Sequence, residues 1–200
     1  MWFTVDFYSK NENMVIQFYG KWPFIRIFGI QEPFSALASL ANLLTNVYMF
    51  KKMKKQLPSK APFKALWYTF AFISINTWLW STVFHTRDFN FTQKMDYYCA
   101  FSLVIFQFYA FFVRILKLKK TFISNLSIYS ITFILVYLFL YHIFFLSFVT
   151  FDYGYNMKIN IVFGTLNSLC WLFWSLYEYI YYKKKHMLNC TISIICKYFF

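Results

Sequence analysis

The sequence predicts an all-α membrane protein, a polytopic bundle of transmembrane helices. Of its 200 residues, 60% are hydrophobic, 26% are aromatic and only 14% are charged. A soluble domain of this size cannot bury so much apolar surface, so the lipid bilayer is the expected solvent. Most of the apolar runs exceed 18 residues, and runs of that length favour helical spans over a barrel.

The apolar runs define the expected elements in chain order. About 20 apolar residues cross a hydrocarbon core of about 30 Å. We expect a lead-in segment over 1–33 and a helical bundle over 34–200, with spans near 34–50, 64–85, 97–116, 122–147 and 158–182 and a partial sixth span over 187–200. Pro33 suits the first turn of a helix, because the N–H that proline lacks has no partner at that position.

The first expected span is rich in small residues, which let a neighbouring helix approach closely in a membrane. These are Ser35, Ala36, Ala38, Ser39 and Ala41.

The basic residues predict the orientation. The net charge is +13, and much of it lies in three clusters at 51–55, 114–120 and 181–186, which fall on one side if the chain crosses alternately. Cytoplasmic loops are the ones enriched in Lys and Arg. We therefore expect these clusters to be cytoplasmic and the intervening loops 86–96 and 148–157 to be lumenal. Topology accounts for the charge, so no nucleic-acid partner is expected.

The polar residues concentrate around the second and third spans. Ser81 and His85 are four residues apart, so they share one face of a helix. We expect a ten-residue loop after His85, with Thr92 capping the third span and Asp96 in its first turn. Helices joined by so short a loop are antiparallel neighbours. The sequence therefore predicts Ser81, His85 and Asp96 close together near the lumenal surface.

The chemistry of this set stays open when it is judged from spacing alone. A serine, a histidine and an aspartate suit either a nucleophilic triad or part of a metal site. Each residue also has a structural explanation: a helix-dipole contact for Asp96, a backbone bond for Ser81, and an interfacial cluster of His85 with Arg87 and Asp88. Ionisable groups within spans are costly and usually functional, which favours a site.

Three blocks of sequence resemble the Per-like family of post-GPI-attachment-to-proteins factor 3, within a superfamily of membrane hydrolases that includes alkaline ceramidases and adiponectin receptors. The blocks read WSTVFHTRDFNFTQKMDYYCA from residue 80, QFYGKWPFIRIFGIQEPFSALASLANLL at 17–44 and FDYGYNMKINIVFGTLN at 151–167. The resemblance implies a seven-span fold in the secretory pathway, in the endoplasmic reticulum or Golgi. It implies an enzyme that removes the sn-2 acyl chain from the lipid of GPI-anchored proteins.

The resemblance also implies roles for individual residues. The superfamily pattern is a serine, a histidine, an aspartate and an HxxxH pair in the last span, and Ser81, His85 and Asp96 match the first three. By resemblance, His85 is a zinc ligand and Ser81 orients the bound water or steadies the oxyanion. Asp96 accepts and later donates the proton. Zinc makes such a water acidic enough to attack an ester as hydroxide.

One part of the superfamily pattern is missing from the sequence. The three histidines are His85, His142 and His186, and no HxxxH pair occurs, whereas a catalytic zinc normally has three protein ligands. We expect an incomplete product of a longer gene. The alternative is a catalytically inactive relative that acts as a partner or chaperone for GPI-anchored proteins. A small transporter is disfavoured, because the polar residues lie near one surface rather than at the midplane.

The remaining polar residues of the spans have weaker assignments. Asn156, Asn160 and Asn167 follow helical spacing, which is typical of residues that join helices in lipid. Arg87, Asn156 and Asn160 are also weak candidates for binding the substrate headgroup. His142 is expected to bond a neighbouring helix.

Overall fold

The computed structural model describes Lys10 and residues 26–58, 61–117 and 122–182, without the side chains of 181 and 182. Five long helices fill these ranges: α1 Pro33–Gln56, α2 Lys64–Thr86, α3 Asn90–Lys117, α4 Phe122–Phe144 and α5 Tyr153–Tyr182. A π-helical turn, Phe145–Val149, extends α4. The predicted all-α class is confirmed. The expected partial sixth span and most of the lead-in segment lie outside the described residues.

Within the described ranges, three helical segments are long and apolar enough to cross a membrane, namely Asn90–Lys117, Phe122–Val149 and Tyr153–Ile180. Each has 28 residues, which is about 42 Å at 1.5 Å per residue, more than the hydrocarbon core requires. Helices α1 and α2 occupy the other two predicted positions but are not among these three. The helical membrane character is confirmed, and the seven-span count stays a prediction.

Helix α1 begins as predicted, at a proline in its first turn. A tight turn precedes it, in which the Ile27 and Ile30 backbones bond each other at 3.3 and 3.0 Å. Phe28 and Gly29 between them have φ of 53° and 80°. Positive φ at both central residues is the geometry of a type I′ turn, which favours glycine. This turn directs residues 31 and 32 toward the end of α2.

Helix α3 is the centre of the bundle, since it contacts α2, α4 and α5. Side-chain contacts show in which direction the neighbouring helices run. The ring centres of Phe101 and of His142 on α4 are 4.2 Å apart, and the Tyr98 hydroxyl bonds the Ser147 hydroxyl at 2.7 Å. Helix α4 is therefore antiparallel to α3. Contacts with α5 instead advance together along both helices, at Phe101–Phe163, Gln107–Asn167 and Arg114–Glu178. Helix α5 is therefore parallel to α3.

In the described part of the chain, two clusters of apolar residues form the core. The first joins Met53, Trp67, Phe70 and Ala71, with Trp171 packed against it. The second joins Phe101, Ile105 and Leu135.

The outward faces of α4 and α5 are also apolar, with large exposed side chains such as Phe133, Tyr137, Phe148, Phe173 and Ile180. Large contiguous apolar surfaces mark interaction or membrane contact, and lipid is the solvent that the composition predicts.

The helix directions place the C-terminal ends of α1, α3 and α5 at one end of the bundle. That end carries the basic cluster at 51–55 and the start of the 114–120 cluster, as predicted. Arg114 pairs there with Glu178 at 3.1 Å, with side-chain exposures of 16% and 7%. The opposite end holds the start of α1, the connection between α2 and α3, and residues 150–153. We call it the polar end, because Ser81, His85 and Asp96 lie toward it.

Candidate functional site

Among the described residues, three polar side-chain pairs join α2 to the antiparallel helix α1 and to the residue just before it. The members on the α1 side are seven residues apart, so they lie on one stripe, two turns between successive members. The pairs are Glu32 Oε2 with His85 Nδ1 at 2.7 Å, Ser39 Oγ with Ser81 Oγ at 3.1 Å, and Asn46 Oδ1 with Ser74 Oγ at 2.8 Å. In lipid, such bonds between helices stabilise their register. Of the small residues predicted to let a neighbour approach the first span, Ala36 and Ser39 are buried, whereas Ala38 and Ala41 are exposed.

The segment before α1 closes the end of α2. The last carbonyls of a helix have no partner within it. Here the backbone N–H of Gln31 donates to the Thr86 carbonyl at 3.2 Å, and that of Glu32 donates to the His85 carbonyl at 3.0 Å. The Gln31 side chain in turn accepts a bond from the backbone N–H of Asp88. The end of α2, with His85, is thus held by the residues just before Pro33.

Ser81 and His85 therefore share a helix face as predicted, and that face contacts α1. The hydrogen bond of Ser81 is to Ser39 and that of His85 is to Glu32. Within the described ranges neither side chain bonds Asp96. The half-buried His85 ring, 23% exposed, keeps its second nitrogen, Nε2, without a hydrogen bond to the described part of the chain.

The start of α3 differs from the prediction. The connection after α2 is three residues, 87–89, rather than ten, and α3 begins at Asn90. Thr92 is consequently inside the first turn and is not the cap. Its hydroxyl accepts from the Phe89 N–H at 2.9 Å and is 3.0 Å from the Arg87 carbonyl, so it fixes the connection instead. Asp96 lies in the second turn of α3 rather than the first, because the helix starts earlier than the apolar run does.

Helix α3 meets α2 through Cys99. The Asn76 amide contacts the Cys99 sulfur at 3.1 Å, and the Thr77 hydroxyl donates to the Cys99 carbonyl at 3.0 Å. Asp96, less than one turn away, is half-buried and close enough to Cys99 to interact electrostatically. The aspartate is thus on the helix next to Ser81 and His85, toward the same end of the bundle.

Aromatic rings extend the polar end from α2 to α5. Tyr97 lies against Phe84 and stacks on Phe151 with 5.3 Å between ring centres. Lys94 lies 5.8 Å over the Phe151 ring, and Arg87 lies 4.9 Å over Phe89. Rings with adjacent cations are the combination expected where a membrane meets water.

The weaker candidates are dispersed. Arg87 is exposed at the end of α2, whereas Asn156 is buried near the start of α5. Asn160 donates to the carbonyl and the side chain of Asn156 within α5. Asn167 bonds Gln107 of α3 at 3.0 Å, so it joins helices as predicted.

His142 faces Asn156 of the neighbouring helix α5, as expected, although the contact does not have standard hydrogen-bond geometry. It is 1% exposed and lies between Phe101 and Tyr155, with ring centres 4.2 and 5.5 Å away. Neither ring nitrogen has a hydrogen bond of standard geometry within the described residues, although the Asn156 side chain lies close enough to interact. His142 is a packed ring of the helix interface.

The described residues supply an incomplete set of ligands for zinc. The described residues contain no group of three His, Cys, Asp or Glu side chains able to hold a metal ion. A catalytic zinc normally takes three protein ligands, so the described residues do not complete such a site. At the polar end, His85 Nε2 is one atom of the described residues that could act as a metal ligand.

Sequence reasoning missed Glu32, just before α1, and Ser39 of α1, which are the partners of His85 and Ser81. Their seven-residue spacing, continued to Asn46, was the available signal. It was obscured because Glu32 lies outside the apolar run and serine is common in membrane helices.

Several known proteins are similar in sequence to this chain. The chain is 40% identical over 195 residues to mouse "GPI-specific phospholipase A2-like PGAP3". The aligned region is 98% of this chain and 59% of that protein. The zebrafish protein of the same name is 42% identical over 174 residues, or 87% of this chain and 54% of that one. "Protein PER1 homolog" of Schizosaccharomyces pombe is 38% identical over 173 residues, or 86% and 52%. The chain thus spans little more than half the length of these relatives.

No solved structure matches the chain. The model of the Per1-like family matches residues 1–199, which is nearly the whole sequence. This chain belongs to the Per1-like family.

Proposed function

We propose that the protein takes part in GPI-anchor remodelling, by hydrolysing the sn-2 acyl ester of the lipid on GPI-anchored proteins. The observation that carries the proposal is family membership across residues 1–199, with relatives whose name specifies a GPI-specific phospholipase A2-like protein. GPI-anchored proteins and their lipid are then the partners. The proposed location is the membrane of the endoplasmic reticulum or Golgi.

The arrangement of charges supports a lumenal position for the polar end. Basic residues at the ends of α1 and α3 lie at the opposite end of the bundle, and basic segments favour the cytoplasmic side. A GPI headgroup lies on the lumenal surface, where the polar end would meet it. Arg87 is exposed there and is a candidate for contact with a phosphate of the headgroup.

The proposed roles follow the family resemblance. Ser81 orients a water molecule or steadies the oxyanion, and Asp96 accepts and then donates the proton. Zinc is the proposed cofactor, which supplies an activated water when bound. His85 is the proposed ligand among the described residues, so the other ligands must come from outside the described part of the chain.

The incomplete ligand set favours a second candidate function. Because the described residues hold no group of three metal-binding side chains, the chain also suits a catalytically inactive membrane relative. Such a protein would act as a partner or chaperone for GPI-anchored proteins.

One experiment separates the two functions. The chain is expressed in cells from which the endogenous Per1-like protein has been removed, and the lipid of a GPI-anchored reporter is analysed by mass spectrometry. We expect loss of the sn-2 chain with the wild type and its retention with His85→Ala. Thr45→Ala, on an exposed face of α1, is the control and should behave as the wild type. Unchanged lipid with improved surface delivery of the reporter would support the inactive relative instead.

A further inference from the structure

Glu32 and His85 contact each other at two points. The carboxylate Oε2 lies 2.7 Å from His85 Nδ1, and the Glu32 backbone N–H donates to the His85 carbonyl at 3.0 Å. The backbone contact is possible because Glu32 precedes the first residue of α1, so its N–H is not used within the helix. The two contacts together fix the position of the carboxylate relative to the ring.

The carboxylate also selects the tautomer of His85. An ionised carboxylate only accepts hydrogen bonds, so the nitrogen facing it must carry the proton. In a neutral imidazole with the proton on Nδ1, the lone pair is on Nε2. Nε2 makes no hydrogen bond within the described residues. A carboxylate behind the distal nitrogen is the usual arrangement for a histidine that donates its other nitrogen to a metal.

We propose that Glu32 is a positioning residue for His85, which holds the ring in the Nδ1–H tautomer and presents the Nε2 lone pair at the polar end. Its contribution to catalysis rests on the proposed function, whereas the tautomer does not. Ordinary helix packing is the competing explanation for Glu32. The two differ because packing alone does not fix which ring nitrogen is protonated.

The surroundings of the pair limit its movement. The preceding residue, Gln31, bonds the Thr86 carbonyl at 3.2 Å and accepts from the Asp88 N–H. The side chains of Glu32 and His85 are only 24% and 23% exposed. Reduced contact with water strengthens the electrostatic preference of the carboxylate for an N–H donor.

The test is 15N NMR of the chain labelled with [15N]histidine and placed in lipid nanodiscs at neutral pH. Signals of His85 are identified by their absence from His85→Ala. We expect an unprotonated Nε2 in the wild type and in Glu32→Gln, whose side-chain oxygen can still accept from Nδ1–H. In Glu32→Ala the Nε2–H tautomer, which predominates in water, should increase. A wild-type His85 protonated on Nε2, or on both nitrogens, would overturn the proposal.

Asn46→Ala is the matched control, because it removes another pair from the same α1–α2 interface. It should leave the His85 tautomer unchanged. An equal tautomer shift in Asn46→Ala and Glu32→Ala would show that loosening of the helices, not the carboxylate, is responsible.

A parallel lipid assay links the tautomer to function. We expect Glu32→Ala to reduce removal of the sn-2 chain by about 10- to 100-fold, the range typical for partners behind a metal ligand. Glu32→Gln should recover part of that loss. If the tautomer changes as expected while the wild type does not act on GPI lipid, the proposed function fails and the positioning role stands. If the wild type is active and Glu32→Ala leaves the His85 tautomer unchanged, only the positioning role is overturned.

Discussion

The hydroxyl oxygens of Ser39 and Ser81 lie 3.1 Å apart across the α1–α2 interface. Ser39 is 4% exposed, so the contact is sheltered from lipid and water. A hydroxyl has one donor and two acceptor positions, and a single contact to Ser39 leaves Ser81 with further capacity. The serine assigned to chemistry by resemblance is therefore also part of the polar stripe that aligns two helices.

The stripe predicts a measurable coupling between Asn46 and Ser74. Each single alanine variant should reduce the free energy of unfolding, and the double variant should lose less than the sum. We expect a coupling of about 0.5–1.5 kcal/mol, the range for hydrogen bonds between membrane helices. A double-mutant cycle of unfolding in bicelles provides the measurement. Thr45→Ala is the control, since the Thr45 hydroxyl bonds only within α1; zero coupling would contradict the role of the pair.

The burial of His142 predicts that an apolar ring is tolerated at its position. Its nitrogens lack standard hydrogen bonds within the described residues and its ring packs on Phe101 and Tyr155. Because burying an unsatisfied polar group costs about 1–3 kcal/mol, His142→Phe should raise the free energy of unfolding by about 1 kcal/mol. His142→Ala should lower it by about 2–4 kcal/mol through the cavity it leaves. Equilibrium unfolding of both variants is the measurement, and a marked loss in His142→Phe would indicate a bond that the ring nitrogens need.

The buried pair of Arg114 and Glu178 predicts asymmetric effects of substitution. Removing Glu178 takes from the Arg114 charge its carboxylate partner across the α3–α5 interface, so Glu178→Ala should lower the free energy of unfolding by about 3 kcal/mol. Replacing both residues by apolar ones, Arg114→Met with Glu178→Leu, should restore stability to within about 1 kcal/mol of the wild type. Unfolding midpoints of the three proteins test this. Lys117→Ala, at an exposed position one turn further along α3, should have little effect; a double variant as unstable as Glu178→Ala would contradict the argument.

The sequence alone determined the helical membrane character and the helix positions. Apolar runs set where the helices form, since a helix satisfies its backbone groups internally and only its side chains need suit lipid. The ends were less accurate, as at Asn90, because polar residues such as Asp96 continue a helix beyond the apolar run. The start of α1 at Pro33 was predicted correctly, because the first turn of a helix is where a missing N–H costs no hydrogen bond.

The tertiary structure decided which side chains meet. Ser81 and His85 were predicted to share a face, and they do, but periodicity does not state which neighbouring helix that face contacts. Their partners, Ser39 of α1 and Glu32 just before it, are 42 and 53 residues away along the chain. Only the docking of residues 31 and 32 on the end of α2 brings the carboxylate to the ring. Local propensity acts over a few residues, whereas this contact depends on how two helices pack.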